Sequence, residues 1–146
     1  QEPELTDGLA HVRALSGHVD YFHLSYGALS GTAVKFVPME GFPYGQAVYA
    51  AMCAKRLLAD ELHDAALVLC VAGLSAPGMA ERALADTGVD VACVGRGHLV
   101  NPNWTNNLLS GRNPGQCLGC KVCRWKAGVC PGQLQLRRTH PKSTNE

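Results

Sequence analysis

Three short segments that read as strands, separated by helical patterns, place the strongest constraint on the fold of this chain. They are residues 19–25, 66–72 and 89–94, and the second is apolar throughout, as in strands of a parallel sheet covered on both faces. Such strand–helix units, joined by right-handed crossovers, form an open parallel sheet or part of a (β/α)8 barrel. A complete barrel needs about 250 residues, so these 146 residues cannot close one alone.

The helical patterns alternate with these strands along the chain. Helices are predicted over residues 5–15, 46–62 and 103–109, and another is predicted to start at Ser75 and to end before Gly88. From residue 113 the composition changes to Cys, Gly, Lys and Arg, which indicates a boundary. We therefore expect a partial barrel in residues 1–112, a cysteine-rich segment in residues 113–131 and a tail without regular structure in residues 132–146.

Composition and charge narrow the class of protein. Hydrophobic residues make up 47% and charged residues 17%, and the formal net charge is +1, so we expect no nucleic-acid or membrane partner. Six Lys or Arg follow Gln116, against one acidic residue, Glu146; they form a solvated basic tail or a partner-binding patch. No secretory signal or membrane-length apolar run is recognisable. The chain starts at Gln1 rather than Met, and we expect it to be the later part of a longer protein.

The cysteine spacing is the sharpest chemical signal. Cys117, Cys120 and Cys123 are separated by two-residue gaps, and Cys130 is followed by Pro131, a spacing typical of [4Fe–4S] ligands. Structural zinc and free thiols are the alternatives, although zinc ribbons usually carry two separated Cys-x-x-Cys pairs. Grouped thiols suit a reducing compartment, so we expect a cytoplasmic location. The other cysteines lie in apolar segments and are expected to be core thiols: Cys53, Cys70 and Cys93.

Two strand ends could bind a phosphate. Gly73 follows the second strand and allows a ligand to approach the backbone N–H groups of Gly73 and Leu74. Gly95 and Arg96 follow the third strand and add backbone donors and a guanidinium. The alternative is that Gly73 only ends its strand and that Arg96 forms a salt bridge with a neighbour.

These residues resemble the old yellow enzyme family of FMN oxidoreductases. Residues 88–96, GVDVACVGR, with LVNP at 99–102, are similar to the last barrel strand and loop of that family. Residues 19–27 resemble its sixth strand, and residues 71–74 resemble its seventh. The segment CLGCKVCRWK at 117–126 is similar to the cluster segment of the trimethylamine dehydrogenase and 2,4-dienoyl-CoA reductase branch. The resemblance covers residues 5 to 130 and implies the C-terminal portion, about strands 6 to 8, of a TIM barrel.

The resemblance also implies cofactors, partners and site residues. The FMN phosphate would be held by Gly73, Leu74, Gly95 and Arg96, and a [4Fe–4S] cluster by Cys117, Cys120, Cys123 and Cys130. The flavin would perform hydride chemistry on an amine or an enone or enoyl compound, and the cluster would carry single electrons. NAD(P)H or an electron-transfer flavoprotein would be the redox partner.

The chain departs from the family pattern in three respects. The gap between Cys123 and Cys130 is shorter than the family's usual loop, the tail over residues 132–146 matches nothing in the family, and the first five strands lie outside the chain. No catalytic residue is therefore predicted, and we expect the isolated chain to bind FMN weakly or not at all. The alternative is a non-catalytic truncated barrel with structural zinc or an empty cysteine site. A ferredoxin-like carrier is disfavoured because one cluster motif accompanies three barrel-type units.

Overall fold

A three-stranded parallel sheet is the centre of the computed structural model, which describes residues 3–26, 41–120 and 129–139. The strands are β1 (Tyr21–Leu24), β2 (Leu67–Val71) and β3 (Val91–Cys93), and their order in the sheet is β1-β2-β3. Tyr21 pairs with Leu67, and Leu69 pairs with Val91. All three strands lie where the sequence predicts them, and their parallel pairing is confirmed.

Helices flank and follow the strands. They are α1 (Pro3–Leu15), α2 (Gln46–Arg56), a π-helical continuation of α2 (Leu57–Leu62), α3 (Met79–Thr87), α4 (Gly95–Val100), α5 (Trp104–Leu109) and α6 (Pro131–Thr139). Helices predicted over residues 5–15, 46–62 and 103–109 are confirmed. The π-helical turn ends at His63, whose φ of +51° is left-handed.

The predicted start of the third helix is wrong. Residues 74–78 form turns, and α3 begins at Met79 instead of directly after Ser75. Gly78 has a φ of +74°, and a helix cannot continue through this left-handed residue. The predicted end is correct, since Gly88 has a φ of +71° and its N–H donates to the Leu84 carbonyl.

The chain divides into two compact units. The first comprises residues 1–73 and 81–93, and the second comprises residues 74–80 and 94–146. In the first unit, α2 packs against β1 and β2. Its core includes Val68 and Cys70 from the sheet and Val48, Ala51 and Leu58 from the helices, all 0 or 1% exposed.

Exposed residues, three of them large and apolar and one of them His23, lie on the opposite face of the sheet. The apolar ones are Tyr21, Leu67 and Val91, which are 61%, 49% and 39% exposed, and Tyr21 and Leu67 are each followed by a buried residue of the same strand. Parallel sheets are normally covered on both faces, so an exposed apolar face of this kind is unusual.

Trp104 organises the packing of the second unit. Its side chain is 2% exposed, and its Nε1–H donates to the Gly115 carbonyl at 2.9 Å. A Cβ atom on Gly97 would lie 2.6 Å from Val94 Cγ1 and 2.9 Å from the Trp104 ring. Gly97 is therefore needed because α4 passes so close to the indole.

Helix α6 lies within the range where the sequence analysis expects an unstructured tail. The helix covers Pro131–Thr139, so the expectation for residues 132–146 is wrong up to residue 139, and residues 140–146 lie outside the described part of the chain. A Cβ atom on Gly132 would lie 2.6 Å from the Gln116 carbonyl oxygen, and the Gln133 amide donates to the Leu99 carbonyl at 2.9 Å. The helix is fixed by close backbone contact rather than by a long apolar stripe.

Within the described residues, no helix combines the length and the apolar character that crossing a membrane requires.

Asp64 joins the end of α1 to the start of β2. Its Oδ2 accepts from the Ser16 hydroxyl at 2.6 Å and from the Gly17 N–H at 2.7 Å, and its Oδ1 accepts from the Ala66 N–H at 2.9 Å. The hydrogen bond from Ser16, followed by those from the Ala66 and Gly17 N–H groups, holds the pKa of this carboxyl below its ordinary value.

Asp64→Asn is expected to destabilise the protein in a pH-dependent way. Because the folded-state pKa is lower than the unfolded value, the stabilisation is present above about pH 4 and is lost as the pH falls through the folded-state pKa. The thermal midpoint of the variant should lie below that of the wild type at neutral pH and converge with it once the pH has fallen below the folded-state pKa. Glu61→Gln, which breaks an exposed ion pair with Arg13, is the control and should change the midpoint little. A difference between wild type and Asp64→Asn that stays constant with pH would contradict this assignment.

Candidate functional site

The backbone after β2 has a left-handed conformation at two successive residues. Ala72 has a φ of +95° and Gly73 a φ of +77°. Positive φ is uncommon for a residue with a Cβ atom and costs about 1–3 kcal/mol, and such strain is often found at binding sites. The strain marks this strand end, where the sequence predicts the phosphate-binding residue Gly73, as a functional candidate.

The strand end after β3 leads directly into α4. Gly95 and Arg96 form its first turn and are exposed, whereas the whole of Leu74, backbone included, is only 3% exposed. Leu74 is therefore the least accessible of the predicted phosphate-binding residues. The first N–H groups of a helix have no intrahelical acceptor, so Gly95 and Arg96 retain backbone donors as well as the guanidinium.

Arg96 is not committed to an ion pair within the described part of the chain. The ion pairs found there join Arg13 to Glu61 and Lys55 to Asp90. The alternative that Arg96 only bridges to a neighbouring carboxylate therefore has no support among these residues.

The predicted phosphate-binding residues are divided between the two units. Gly73 belongs to the first unit, as the last residue of the range 1–73, and Leu74, Gly95 and Arg96 belong to the second. Along the chain, Gly73 and Gly95 each come two residues after the end of a strand, and the two strands are parallel neighbours.

The described cysteines of the predicted cluster segment are free thiols. Cys117 and Cys130 are half-buried and Cys120 is exposed, while Cys123 lies outside the described residues. The Cys117 N–H donates to the Ser75 hydroxyl at 3.2 Å, so Ser75 holds this segment rather than capping a helix. Among the described residues, no three His, Cys, Asp or Glu side chains are grouped closely enough to bind a metal ion.

The type of donor available in this region fits a thiolate-bound centre. Residues 99–139 contain no His, Asp or Glu, so only cysteines can supply the usual charged or imidazole ligands. Soft thiolates select iron–sulfur clusters or zinc. Gly119 has a φ of +61° and forms a left-handed turn between Cys117 and Cys120.

The segments that carry Cys117 and Cys130 contact each other. Gln116 directly precedes Cys117, and its carbonyl approaches Gly132, two residues after Cys130, so closely that only glycine fits. The Gly115 backbone also packs against Leu136, with 3.1 Å between the position of a Cβ atom and Leu136 Cδ2. These contacts bring the backbone near Cys130 next to the backbone near Cys117. In sequence, the gap between Cys123 and Cys130 is still shorter than the family's usual loop.

Of the three predicted core thiols, only Cys70 is buried, whereas Cys53 and Cys93 are half-buried. Cys70 is fully buried, and burial raises the pKa of its thiol. Cys53 is half-buried, and burial also raises the pKa of this thiol. A raised pKa keeps a thiol protonated and poorly nucleophilic, so neither is a candidate ligand or nucleophile.

His98 makes two polar side-chain contacts. It lies in α4, with Nδ1 3.3 Å from the Pro102 carbonyl and Nε2 3.1 Å from the Thr105 hydroxyl. These contacts tie α4 to the turn before α5, so we assign His98 a structural role.

Comparisons of this chain with protein-family models, with curated proteins and with solved structures found no match.

Proposed function

We propose that this chain is the C-terminal part of an FMN- and [4Fe–4S]-dependent oxidoreductase of the old yellow enzyme family. The observation that carries the proposal is the order of features along the chain. Two neighbouring parallel strands are each followed two residues later by a candidate phosphate-binding glycine, and then by a region whose only ligand-type side chains are thiols. FMN would need the first feature and an iron–sulfur cluster the second.

The one-sided sheet supports the partial-barrel part of the proposal. Helix α2 covers one face, and the exposed residues Tyr21, Leu67 and Val91 lie on the other. In a (β/α)8 barrel the helices lie outside and the apolar inner faces of all eight strands fill the interior. Three strands taken alone would leave that inner face exposed, whereas a doubly wound sheet would have helices on both faces.

The proposed phosphate site assigns roles to Arg96 and Gly95. The Arg96 guanidinium would form paired hydrogen bonds with the FMN phosphate, and the Gly95 N–H would add a backbone donor. Gly73 and Leu74 stay candidates on the strength of the resemblance. Bound FMN would supply hydride chemistry on an amine or an enone or enoyl substrate, with NAD(P)H or an electron-transfer flavoprotein as partner. The groups around the flavin ring would come from strands upstream of this chain, so no residue described here is assigned to catalysis.

The proposed cluster site uses Cys117, Cys120, Cys123 and Cys130. Bound there, a [4Fe–4S] cluster would supply one-electron transfer. The four thiols would bind and orient it, and the Ser75 hydroxyl accepts a hydrogen bond from the backbone N–H of Cys117. We infer that the protein works in the cytoplasm, where thiols stay reduced.

A non-catalytic fragment with a structural zinc ion is the second candidate. It is favoured by the same donor set, because four thiolates also satisfy tetrahedral zinc.

Metal and sulfide analysis separates the two candidates. The chain purified without oxygen should be brown and contain about four irons and four acid-labile sulfides, as expected for a cubane on four thiolates. One equivalent of zinc in a colourless protein would overturn the cluster assignment in favour of the structural-zinc fragment.

A further inference from the structure

A polar cleft in the second unit is lined by residues that the proposed function does not use. The cleft has a volume of about 400 Å³, and six residues line it: Asn101, Asn103, Asn107, Arg112, Leu136 and Arg137. All six belong to the second unit, and they come from the turn before α5, from α5, from the residues after it and from α6. The volume falls in the range of small-molecule sites, about 300–1,000 Å³.

The cleft wall is held in place by hydrogen bonds. The Asn101 amide donates to the Pro114 carbonyl at 3.0 Å, and its oxygen accepts from the Asn103 N–H at 3.0 Å. The Arg112 N–H donates to the Asn107 carbonyl at 2.8 Å, which fixes the backbone from which the guanidinium extends. Asn101 therefore shapes the wall, while the other side chains are available to a ligand.

The described residues that line the cleft include two arginines and no acidic residue. Residues 94–146 contain eight Lys or Arg and a single acidic residue, Glu146, whereas the rest of the chain contains five basic and eleven acidic residues. Within the described ranges, Arg112 and Arg137 are exposed and neither takes part in an ion pair. The guanidiniums of Arg112 and Arg137 therefore have no carboxylate partner among the residues that line the cleft, which suits an anionic ligand.

We propose that this cleft binds a phosphomonoester of a small polar molecule of nucleotide size, a site separate from and additional to the proposed FMN site. Arginine forks match phosphate oxygens in pairs, so Arg112 and Arg137 would bind the phosphate. The carboxamides of Asn103 and Asn107 both donate and accept hydrogen bonds, which suits hydroxyl groups or a heterocycle edge. Leu136 provides an apolar wall for the body of the ligand.

The composition of the cleft favours a small organic phosphate over the alternatives. An inorganic phosphate would leave the carboxamides and the apolar wall without partners. Nucleic acid binding normally uses many phosphate contacts along an extended surface, and this site presents two arginines in one concave pocket. The expected ligand is therefore a small organic molecule with a single phosphate group.

Calorimetric titration of the full chain with AMP tests the proposal. We expect saturable binding of one equivalent of AMP, weaker binding of inorganic phosphate and no binding of adenosine. Arg112→Gln and Arg137→Gln should each weaken AMP binding by about 10-fold or more, the usual effect of losing a charged hydrogen bond. Arg112→Lys should recover part of the loss, since it restores the charge without the planar fork.

Arg138→Gln is the matched control. Arg137 and Arg138 both lie in the last turn of α6, so they interact alike with the helix dipole, but Arg138 does not line the cleft. AMP affinity should change less than about twofold in Arg138→Gln, and the thermal midpoints of the two variants should agree.

Three results would overturn the proposal. The first is a titration with AMP that shows no saturable binding. The second is an equal loss of affinity in Arg137→Gln and Arg138→Gln together with tighter binding of a single-stranded oligonucleotide, which would indicate a general basic surface. The third is a loss confined to Arg96→Gln, which would locate AMP at the strand end instead.

Discussion

Cys117→Ser, Cys120→Ser and Cys123→Ser are each expected to abolish the brown colour and the iron content of the anaerobically purified chain. A serine hydroxyl stays protonated at neutral pH and is a hard ligand, whereas iron in a cubane needs soft thiolates. Residues 99–139 contain no His, Asp or Glu that could replace a missing thiolate. Cys130→Ser is expected to lower the iron content less, because the spacing before Cys130 departs from the family pattern.

Cys53→Ser is the control for these variants. Cys53 is half-buried in α2 of the first unit, outside the cysteine-rich segment. The Cys53→Ser variant should therefore retain about four irons per chain. Iron and sulfide assays with the visible spectrum measure the effect. Equal iron loss in Cys53→Ser would mean that any lost thiol destabilises the protein, and the ligand assignment would fail.

Arg96→Ala is expected to weaken FMN binding by about 1.5–3 kcal/mol in the barrel that the proposal requires, with its upstream strands present. The reason is the loss of a charged hydrogen bond to the phosphate from a guanidinium that is exposed and forms no ion pair with any described residue. Fluorescence titration with FMN measures the change, and Arg96→Lys should recover only part of the affinity because lysine lacks the planar fork.

Riboflavin is the control ligand for Arg96. It lacks the phosphate, so Arg96→Ala should change riboflavin affinity much less than FMN affinity. An equal weakening of both ligands would mean that Arg96 supports the fold, and the phosphate assignment of this strand end would be withdrawn.

The strands were predictable because their apolar segments are short, continuous and followed by glycine. Residues 66–72 satisfy all three conditions, residues 89–94 are interrupted only by Asp90, and β2 and β3 lie within these segments. Parallel pairing also followed from the intervening helices. The conformation of Ala72 was not predictable, since nothing in an alanine indicates a positive φ, and only the backbone geometry reveals it.

Helix α6 could not be predicted because its order depends on contacts distant in sequence. Leu134 is 41% exposed, and the helix is held instead by the approach of Gly132 to Gln116 and of Leu136 to Gly115. A glycine that permits close backbone approach looks, in sequence, like a glycine in a loop. The cleft around Arg112 and Arg137 could not be predicted either, because it depends on the position of α6, which carries Arg137. The excess of basic residues after Gln116 was the one sequence feature that pointed towards an anion-binding surface.

The most direct test of the central claim is the electron paramagnetic resonance spectrum of the anaerobically purified chain after reduction with dithionite. If Cys117, Cys120, Cys123 and Cys130 hold a [4Fe–4S] cluster, the oxidised chain should be silent and the reduced chain should show the signal of one unpaired electron per cluster. The same preparation of Cys120→Ser should show none. A chain that gives no paramagnetic resonance signal after reduction and contains zinc would contradict the account. The non-catalytic fragment with a structural zinc ion would then be the supported candidate.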